Sequence, residues 1–317
     1  MKIVFLDRSS VGLDVDISIY EKFGTIKVYD YSEPHDIKQR IFGSDIVITN
    51  KAPMDESTLS GTSVRLICLT ATGADNVDHD FCRKSGITVC NVKGYSTNSV
   101  VQHTFALLFM IWERMTEFTE HTRNGRYVGD TDYSHYAYTF REMTGKTFGV
   151  MGMGAIGSAV AKVAETFGFN VIYWSSSDMD RNTAYRRVGL EELLRTCDVI
   201  SINSPLNEQT RGLLGIHEFE IMKPETVVIN TGRGAIIVEE DIVQAIENGM
   251  IGGAALDVIT KEPMTSDSPF TRILDRPNFI LTPHVAWAAV ESRQRCLDEV
   301  CLNIESWIEG RIRNVIV

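Results

Sequence analysis

Three ionisable side chains follow three separate apolar runs in the second half of the sequence. Arg233 lies in INTGRG, Glu262 in ALDVITKEP and His284 in LTPHVAW. When a hydride reaches a carbonyl carbon, the oxygen gains negative charge, and histidine is suited to protonate it near neutral pH. A carboxylate can orient that imidazole and stabilise its charged form, and an arginine can hold a substrate carboxylate or keto oxygen. The set predicts hydride transfer to a carbonyl, although each residue alone fits an ordinary loop contact.

A glycine-rich loop, VMGMGAIG, precedes these motifs and predicts a phosphate-bearing cofactor. Its glycines have the spacing G-x-G-x-x-G between an apolar run and a helical segment. The first permits a tight turn, the second a close approach of backbone to a pyrophosphate, and the third close packing of helix on strand. The helix N-terminus then offers N–H groups to the phosphates. The alternative is a plain turn that binds nothing. The cofactor-binding residues predicted here are Gly152, Gly154, Ala155, Ile156 and Gly157.

The next apolar run, NVIYW at 170–174, ends without the acidic residue that NAD-specific domains usually place there. Ser175 and Ser176 follow, with a third serine, and Asp178 comes only after them. Serines remove the charge that would repel a 2′-phosphate and can donate hydrogen bonds to it. No arginine or lysine stands among them, and Arg181 is the nearest. These residues leave the nicotinamide form open, and the expected cofactor is NAD, with NADP possible.

The whole chain alternates short β-branched runs with helical segments, which is typical of βαβ units and parallel sheets. We expect an α/β fold with two Rossmann-like domains, in which a doubly wound parallel-sheet cofactor domain is inserted in a flavodoxin-like substrate domain. The segment 100–125 is expected to be one helix, and 126–144 a long loop. The predicted substrate domain is 1–98 plus 286–317, and the predicted dinucleotide-binding domain is 99–285.

Composition limits the classes of partner. The chain has 317 residues, 44% of them hydrophobic, and a formal net charge of −11, which argues against a nucleic-acid or anionic-membrane partner. No apolar run approaches the roughly 20 residues that span a bilayer, and the first one ends too early for a signal peptide. A cytoplasmic protein is expected. The six cysteines show no metal-ligand spacing with histidine, so neither a metal nor a disulfide framework is expected.

Together, the glycine loop, NTGRG, LDV…EP and TPH resemble the D-isomer-specific 2-hydroxyacid dehydrogenase family, over essentially the whole chain. The resemblance implies that Arg233, Glu262 and His284 are catalytic, with His284 as the acid/base. It also implies that Asp257 contacts the nicotinamide amide and that Thr231 lies near the ring. The residues that it implies on the adenosine side are Ser204, Pro205 and Thr210.

The resemblance extends to the substrate. TATGADNVD resembles the family's substrate loop and implies contacts from Thr72, Gly73 and Ala74, and NKAPM adds Lys51. YSTNSVVQHTFALL and HVAW resemble the glycerate dehydrogenase/hydroxypyruvate reductase branch, with Trp287 as a substrate contact or a core or interface aromatic. Hydroxypyruvate or glyoxylate is thus the expected 2-ketoacid, and a homodimer through the 100–140 region is implied. The alternatives are 3-phosphohydroxypyruvate or an apolar 2-ketoacid as substrate, or a nicotinamide-sensing binding protein similar to corepressor relatives.

Overall fold

The β-branched runs form two separate parallel sheets, which confirms the α/β class that the alternation predicts. The computed structural model describes residues 1–177 and 184–317. Asp178 and Arg181, considered above for the ribose end of the cofactor, lie outside the described residues. Among the described residues, no helix is both long enough and apolar enough to cross a membrane.

The chain divides into two units, which we call the terminal unit, Met1–Ser96 with Trp287–Val317, and the central unit, Thr97–Ala286. The strands are β1 Lys2–Phe5, β2 Thr25–Val28, β3 Ile46–Thr49, β4 Leu66–Leu69, β5 Thr88–Cys90, β6 Thr147–Met151, β7 Asn170–Trp174, β8 Arg186–Arg187, β9 Val199–Ile202, β10 Val227–Asn230, β11 Gly253–Leu256 and β12 Phe279–Leu281. The helices are α1 Pro34–Ile41, α2 Glu56–Leu59, α3 His79–Ser85, α4 Thr97–Trp112, α5 Met115–Arg123, α6 Ala155–Thr166, α7 Leu190–Thr196, α8 Ile216–Glu220, α9 Glu239–Glu247 and α10 Val290–Ile308. Short 3₁₀ turns lie at Arg8–Val11, Ser18–Phe23, Arg126–Gly129, Gly234–Ile236 and Pro269–Arg272.

The terminal unit has a five-stranded parallel sheet in the order β2-β1-β3-β4-β5. Side chains alternate between its faces, so Ile3 and Phe5 join one apolar cluster while Val4 and Leu6 join another. The first cluster includes Leu297 of α10, and the second includes side chains of α1. Both faces are therefore covered, as parallel sheets require.

The central unit has a seven-stranded parallel sheet in the order β12-β11-β10-β9-β6-β7-β8. Strands β6 and β9 are neighbours, so the chain turns outward in opposite directions from this pair. Open α/β sheets bind ligands beside the carboxyl ends of such strands. The glycine loop follows β6, and the segment with Ser204 follows β9. On the other side of β9, strands β10, β11 and β12 lie side by side.

Two features of the central unit differ from the sequence-based expectation. The segment 100–125 forms two helices rather than one, because the chain breaks at Arg114, whose φ of 55° is left-handed. Arg114 donates to the buried carboxylate of Glu117 in the first turn of α5, a contact that sequence periodicity does not reveal. The two-residue strand β8 was not predicted from the sequence, because a pair of arginines carries no apolar pattern.

Candidate active site

The side chains of His284 and Glu262 form a direct contact. His284 Nδ1 lies 2.7 Å from Glu262 Oε2, and the second carboxylate oxygen accepts the N–H of Ile259 at 3.1 Å. His284 has a φ of 54°, a conformation that non-glycine residues seldom adopt. Its own N–H donates to the carbonyl of Asp257 at 2.8 Å, which holds this backbone in place. The carboxylate thus fixes one ring nitrogen of the histidine, so proton exchange would run through the other, Nε2.

Asp257, directly after β11, organises the segment that carries His284. It is 1% exposed, and its carboxylate accepts the hydroxyl of Thr282 at 2.6 Å and the N–H groups of Val285 and Ala286 at 2.8 Å each. The resemblance implies that Asp257 contacts a nicotinamide amide. In this structure its oxygens face donors of its own chain on both sides of His284.

His103 is a residue that the sequence analysis did not single out. Its Nε2 lies 3.0 Å from Thr282 Oγ1 and 3.6 Å from Asp257 Oδ1. It stands on α4, far from Thr282 along the chain, so only the fold brings the two together. The available signal was a histidine within the apolar helix VVQHTFALL. Through Thr282, His103 contacts the segment that carries His284.

Arg233 follows β10 in a loop with a fixed backbone. The side chain of Asn230 bonds both the carbonyl of Arg233 and the N–H of Gly232, each at 3.0 Å. A Cβ at Gly234 would lie 2.0 Å from the carbonyl carbon of Ile259, so only glycine fits there. Arg233 itself is exposed, and no carboxylate of the described residues forms an ion pair with it. The guanidinium is therefore suited to bind an anion.

The three motifs stand at the carboxyl ends of adjacent strands. Arg233 follows β10, Glu262 follows β11 and His284 follows β12, and these strands are neighbours in the sheet. Thr231 also follows β10 and is half-buried, with its hydroxyl 3.3 Å from that of Thr104. The sheet order thus brings the predicted catalytic residues to one edge, and the direct contact among them is that of His284 with Glu262.

The glycine loop has the space and the donors for a dinucleotide. Gly152 has a φ of 95°, and a Cβ there would lie 2.7 Å from Ser204 Oγ. A Cβ at Gly157 would lie 2.0 Å from the carbonyl oxygen of Gly152, whereas one at Gly154 would meet open space. Helix α6 begins at Ala155 with no side-chain cap, so its first N–H groups face outward. These features fit the pyrophosphate of a dinucleotide.

Three of the predicted cofactor-binding residues are in different environments. Ser204 is buried, and its hydroxyl has no hydrogen-bond partner among the described residues. Thr210 is also buried, but its hydroxyl donates to the carbonyl of Pro205 at 2.7 Å, so it serves the turn itself. Ile156 is half-buried beside the glycines. Ser204 therefore offers an available hydroxyl at the switch point, and Thr210 does not.

A cation that the sequence analysis missed stands beside the serines after β7. Arg187 lies on β8, which pairs with β7, and its Nη2 donates to the carbonyls of Ser175 at 3.2 Å and Ser177 at 2.7 Å. Ser176 lies between those two serines. Because Arg187 is twelve residues beyond Ser175, only the strand pairing reveals that the positive charge is there.

In the terminal unit, the predicted substrate loop follows β4. Thr72 bonds back to the carbonyl of Val92 at 2.7 Å, which ties down the start of the loop. The N–H groups of Gly73 and Ala74 donate no hydrogen bond within the described part of the chain. Two consecutive unpaired N–H groups suit a carboxylate.

Lys51 lies in a second loop of the terminal unit, after β3. Buried Asp7 holds this loop, since its carboxylate accepts the N–H of Lys51 at 2.7 Å and that of Asn50 at 3.0 Å. The Lys51 side chain is exposed. Trp287 packs edge-on against Tyr95, with ring centroids 6.3 Å apart, and borders the core of the terminal unit. Its packing matches the alternative interpretation of Trp287 as a core aromatic.

Comparison with known proteins agrees with this architecture. Residues 105–286 match the family described as D-isomer specific 2-hydroxyacid dehydrogenase, NAD binding domain. Glycerate dehydrogenase of Methylorubrum extorquens is 34% identical over 99% of this chain and 98% of that protein. Hydroxypyruvate reductase of Blautia hydrogenotrophica is 34% identical over 100% of this chain and 99% of that protein. The structure of an acyclic imino acid reductase in complex with NADPH and D-Arg is 28% identical, covers 100% of both chains and has a TM-score of 0.87.

These findings confirm the family and the fold that the motifs predict. They also confirm a nicotinamide dinucleotide as cofactor, because the matched domain is the family's NAD-binding domain and a structural relative holds NADPH. The chain belongs to the D-isomer-specific 2-hydroxyacid dehydrogenase family and is an oxidoreductase that transfers a hydride between a nicotinamide cofactor and a 2-keto or 2-hydroxy acid.

Proposed function

We propose that the chain reduces hydroxypyruvate or glyoxylate reversibly to D-glycerate or glycolate. The observation that carries this proposal is the 2.7 Å contact between His284 Nδ1 and Glu262 Oε2 at the edge of the cofactor-binding sheet. The names of the relatives, glycerate dehydrogenase and hydroxypyruvate reductase, support the choice of substrate.

Each catalytic residue has one role in the proposal. When bound, a reduced nicotinamide would supply the hydride to the carbonyl carbon of the substrate. The proton that reaches the carbonyl oxygen comes from Nε2 of His284, while Nδ1–H donates to Glu262. The carboxylate stabilises the positive charge of the imidazole before that transfer. Arg233 binds the substrate carboxylate or keto oxygen and so orients the carbonyl.

The predicted substrate loop after β4 is part of the proposal as well. The N–H groups of Gly73 and Ala74 bind a carboxylate, supported by their lack of partners in the described part of the chain. Thr72, Lys51 and Trp287 are the remaining candidates. A phosphate-bearing substrate would need additional cations, and Lys51 is the exposed one in the loop after β3. An apolar 2-ketoacid would need none.

Initial rates test the activity. Hydroxypyruvate, glyoxylate, pyruvate and 3-phosphohydroxypyruvate are each offered with NADH and with NADPH. We expect the highest kcat/KM for hydroxypyruvate or glyoxylate. The variant His284→Gln should lose turnover while it retains dinucleotide binding, measured by quenching of tryptophan fluorescence. Full turnover by that variant would refute the catalytic assignment, and cofactor binding without any turnover in the wild type would favour the nicotinamide-sensing alternative.

We also propose that the protein is a homodimer that associates through the 100–140 region. Large apolar side chains of this region are exposed, including Val128 at 91% and Tyr133 at 99%. Such exposure is typical of a contact surface. Light scattering should give twice the chain mass, and a Val128→Ser/Tyr133→Ser double variant should give the monomer mass.

We infer a cytoplasmic location, supported by six cysteines that are all free thiols.

A further inference from the structure

Three metal-ligand-type side chains meet in the central unit, outside the site described above. His121 lies on α5, and Asp130 and His135 lie on the irregular segment that follows. We call them the His–Asp–His cluster. His121 Nε2 is 3.0 Å and His135 Nδ1 is 3.6 Å from the same oxygen, Asp130 Oδ2. The three ligand atoms all lie within 4.8 Å of one another.

The cluster has the donor atoms and spacing of a transition-metal site. Two imidazole nitrogens and one carboxylate oxygen form a set that Zn²⁺ and its neighbours bind, whereas Mg²⁺ and Ca²⁺ prefer oxygen alone. Ligand atoms about 2.0–2.1 Å from a tetrahedral Zn²⁺ lie roughly 3.3 Å from each other. The two distances to Asp130 Oδ2, 3.0 and 3.6 Å, bracket that value.

Burial and a nearby carboxylate support the same interpretation. His121 is only 8% exposed, so protein atoms cover one side of the cluster. Glu117 precedes His121 by one turn of α5 and so lies on the same helix face. It is 7% exposed, and its Oε2 has no hydrogen-bond partner among the described residues, while Oε1 accepts from Arg114. A buried, unsatisfied carboxylate oxygen is costly, and a nearby cation would offset that cost.

The rings of His121 and His135 are stacked, with centroids 3.8 Å apart and 28° between their planes. A bound ion must lie close to the plane of each imidazole, so one ring has to turn. His135 is the ring that can turn, because it stands on a segment without helix or strand hydrogen bonds. Asp130 Oδ2 accepts a hydrogen bond from His121 Nε2 at 3.0 Å.

We propose that His121, Asp130 and His135 bind a divalent transition-metal ion of the Zn²⁺ class, which ties the 130–135 segment to α5. The two imidazoles bind through deprotonated nitrogens and Asp130 through its carboxylate, with water completing the coordination. The ion would be structural. The proposal is independent of the substrate and of the catalytic residues.

Titration of the tag-free, chelator-treated full chain with Co²⁺ tests the proposal. We expect visible d–d absorption that saturates at one Co²⁺ per chain and disappears when Zn²⁺ competes. His135→Ala and Asp130→Asn, on the irregular segment, should each weaken the binding by about ten-fold or more. The matched control is His217→Ala, which removes an exposed histidine of α8, with its side chain 75% exposed, and should leave the binding unchanged.

Two results would overturn the proposal. One is the absence of saturable Co²⁺ absorption and of Zn²⁺ binding heat in the wild-type protein. The other is unaltered binding in the Asp130→Asn/His135→Ala double variant, which would place the ion elsewhere. Circular dichroism of each variant verifies that the fold is retained, and the rate with hydroxypyruvate is recorded separately so that loss of metal and loss of catalysis are distinguished.

Discussion

His284 Nδ1 and Glu262 Oε2 are 2.7 Å apart, although about a third of each side chain is exposed to solvent, 35% and 34%. An exposed pair of this kind contributes little to stability by itself. The left-handed φ of His284 adds local strain. We therefore expect that His284 and Glu262 serve the chemistry of the site more than the stability of the fold.

The first prediction concerns that pair. Glu262→Gln keeps the shape and an acceptor oxygen but removes the negative charge that favours the protonated imidazole. We expect kcat for ketoacid reduction to fall by about 10²-fold, the lower end of what a positioned general acid contributes. Steady-state rates measure this change, and an unaltered kcat would show that Glu262 does not act on His284.

The second prediction separates two glycines of one loop. A Cβ at Gly154 meets open space, so Gly154→Ala should keep the wild-type Tm but weaken dinucleotide binding about ten-fold, since the methyl group occupies the approach to the phosphates. A Cβ at Gly157 meets the carbonyl of Gly152 at 2.0 Å, so Gly157→Ala should lower the Tm as well. Calorimetry and fluorescence titration measure the two effects. Equal changes of Tm and of dinucleotide affinity in the two variants would contradict these different roles of Gly154 and Gly157.

The third prediction concerns His103. Its contact with Thr282 supports the segment that Asp257 fixes around His284. His103→Phe should lower kcat with little change in dinucleotide affinity. His103→Gln can donate a hydrogen bond from a similar position and should retain most of the wild-type kcat. Thr282→Val should destabilise the chain by about 1–3 kcal/mol, because buried Asp257 loses a donor. A loss of kcat in His103→Gln as large as in His103→Phe would exclude the proposed hydrogen bond.

The fourth prediction concerns pH and stability in the terminal unit. Arg293 donates to Asp14 and holds the pKa of that carboxyl at about 2, below its usual 3.8. A pKa lowered in the folded state adds stability above the unfolded value, and this stability is lost as the pH falls through 3.8 and past about 2. Asp14→Asn should therefore lower the Tm slightly at pH 6 and by less near pH 2. The contribution is small because Asp14 is exposed.

Some parts of the candidate site follow from local sequence patterns, and others do not. The positions of Arg233, Glu262 and His284 at one sheet edge were predictable because each follows an apolar run, and the carboxyl ends of parallel strands share one edge. The position of the glycine loop directly after β6 was predictable from the spacing of its glycines between an apolar run and a helical segment. The cluster of His121, Asp130 and His135 was not, because an irregular segment has no periodicity that fixes where its side chains meet.

The positions of Arg114 and Arg187 could not be predicted from the sequence either. Nothing in the apolar pattern of 100–125 indicates a break at Arg114, since its left-handed backbone accompanies a bond to a buried carboxylate. Arg187 approaches Ser175 only through pairing of a strand that has two residues. Tertiary contacts decide both positions, and they also decide which charges surround the ribose end of the cofactor.

That observation leads to the fifth prediction, on cofactor preference. Ser175 occupies the place where NAD-specific domains have an acid, and Arg187 brings a positive charge to the carbonyls of Ser175 and Ser177. We expect NADPH to be used at least as well as NADH. Ser175 presents no negative charge to the 2′-phosphate, and the cation of Arg187 lies nearby. Ser175→Asp should shift the ratio of kcat/KM toward NADH by about ten-fold or more, because the carboxylate repels the phosphate and accepts from the ribose hydroxyls.

Arginine variants identify the source of the preference. Arg187→Ala should raise KM for NADPH several-fold and leave KM for NADH unaltered, because only the 2′-phosphate carries the charge that the guanidinium would attract. Arg186→Ala is the matched control, since Arg186 is adjacent on β8 and contacts Glu192 at 2.6 Å, not the carbonyls of Ser175 and Ser177. Equal losses for both cofactors in Arg187→Ala would indicate that Arg187 only supports the loop. A wild-type enzyme that strongly prefers NADH, with no change of preference in Ser175→Asp, would mean that the charge at position 175 does not select the cofactor.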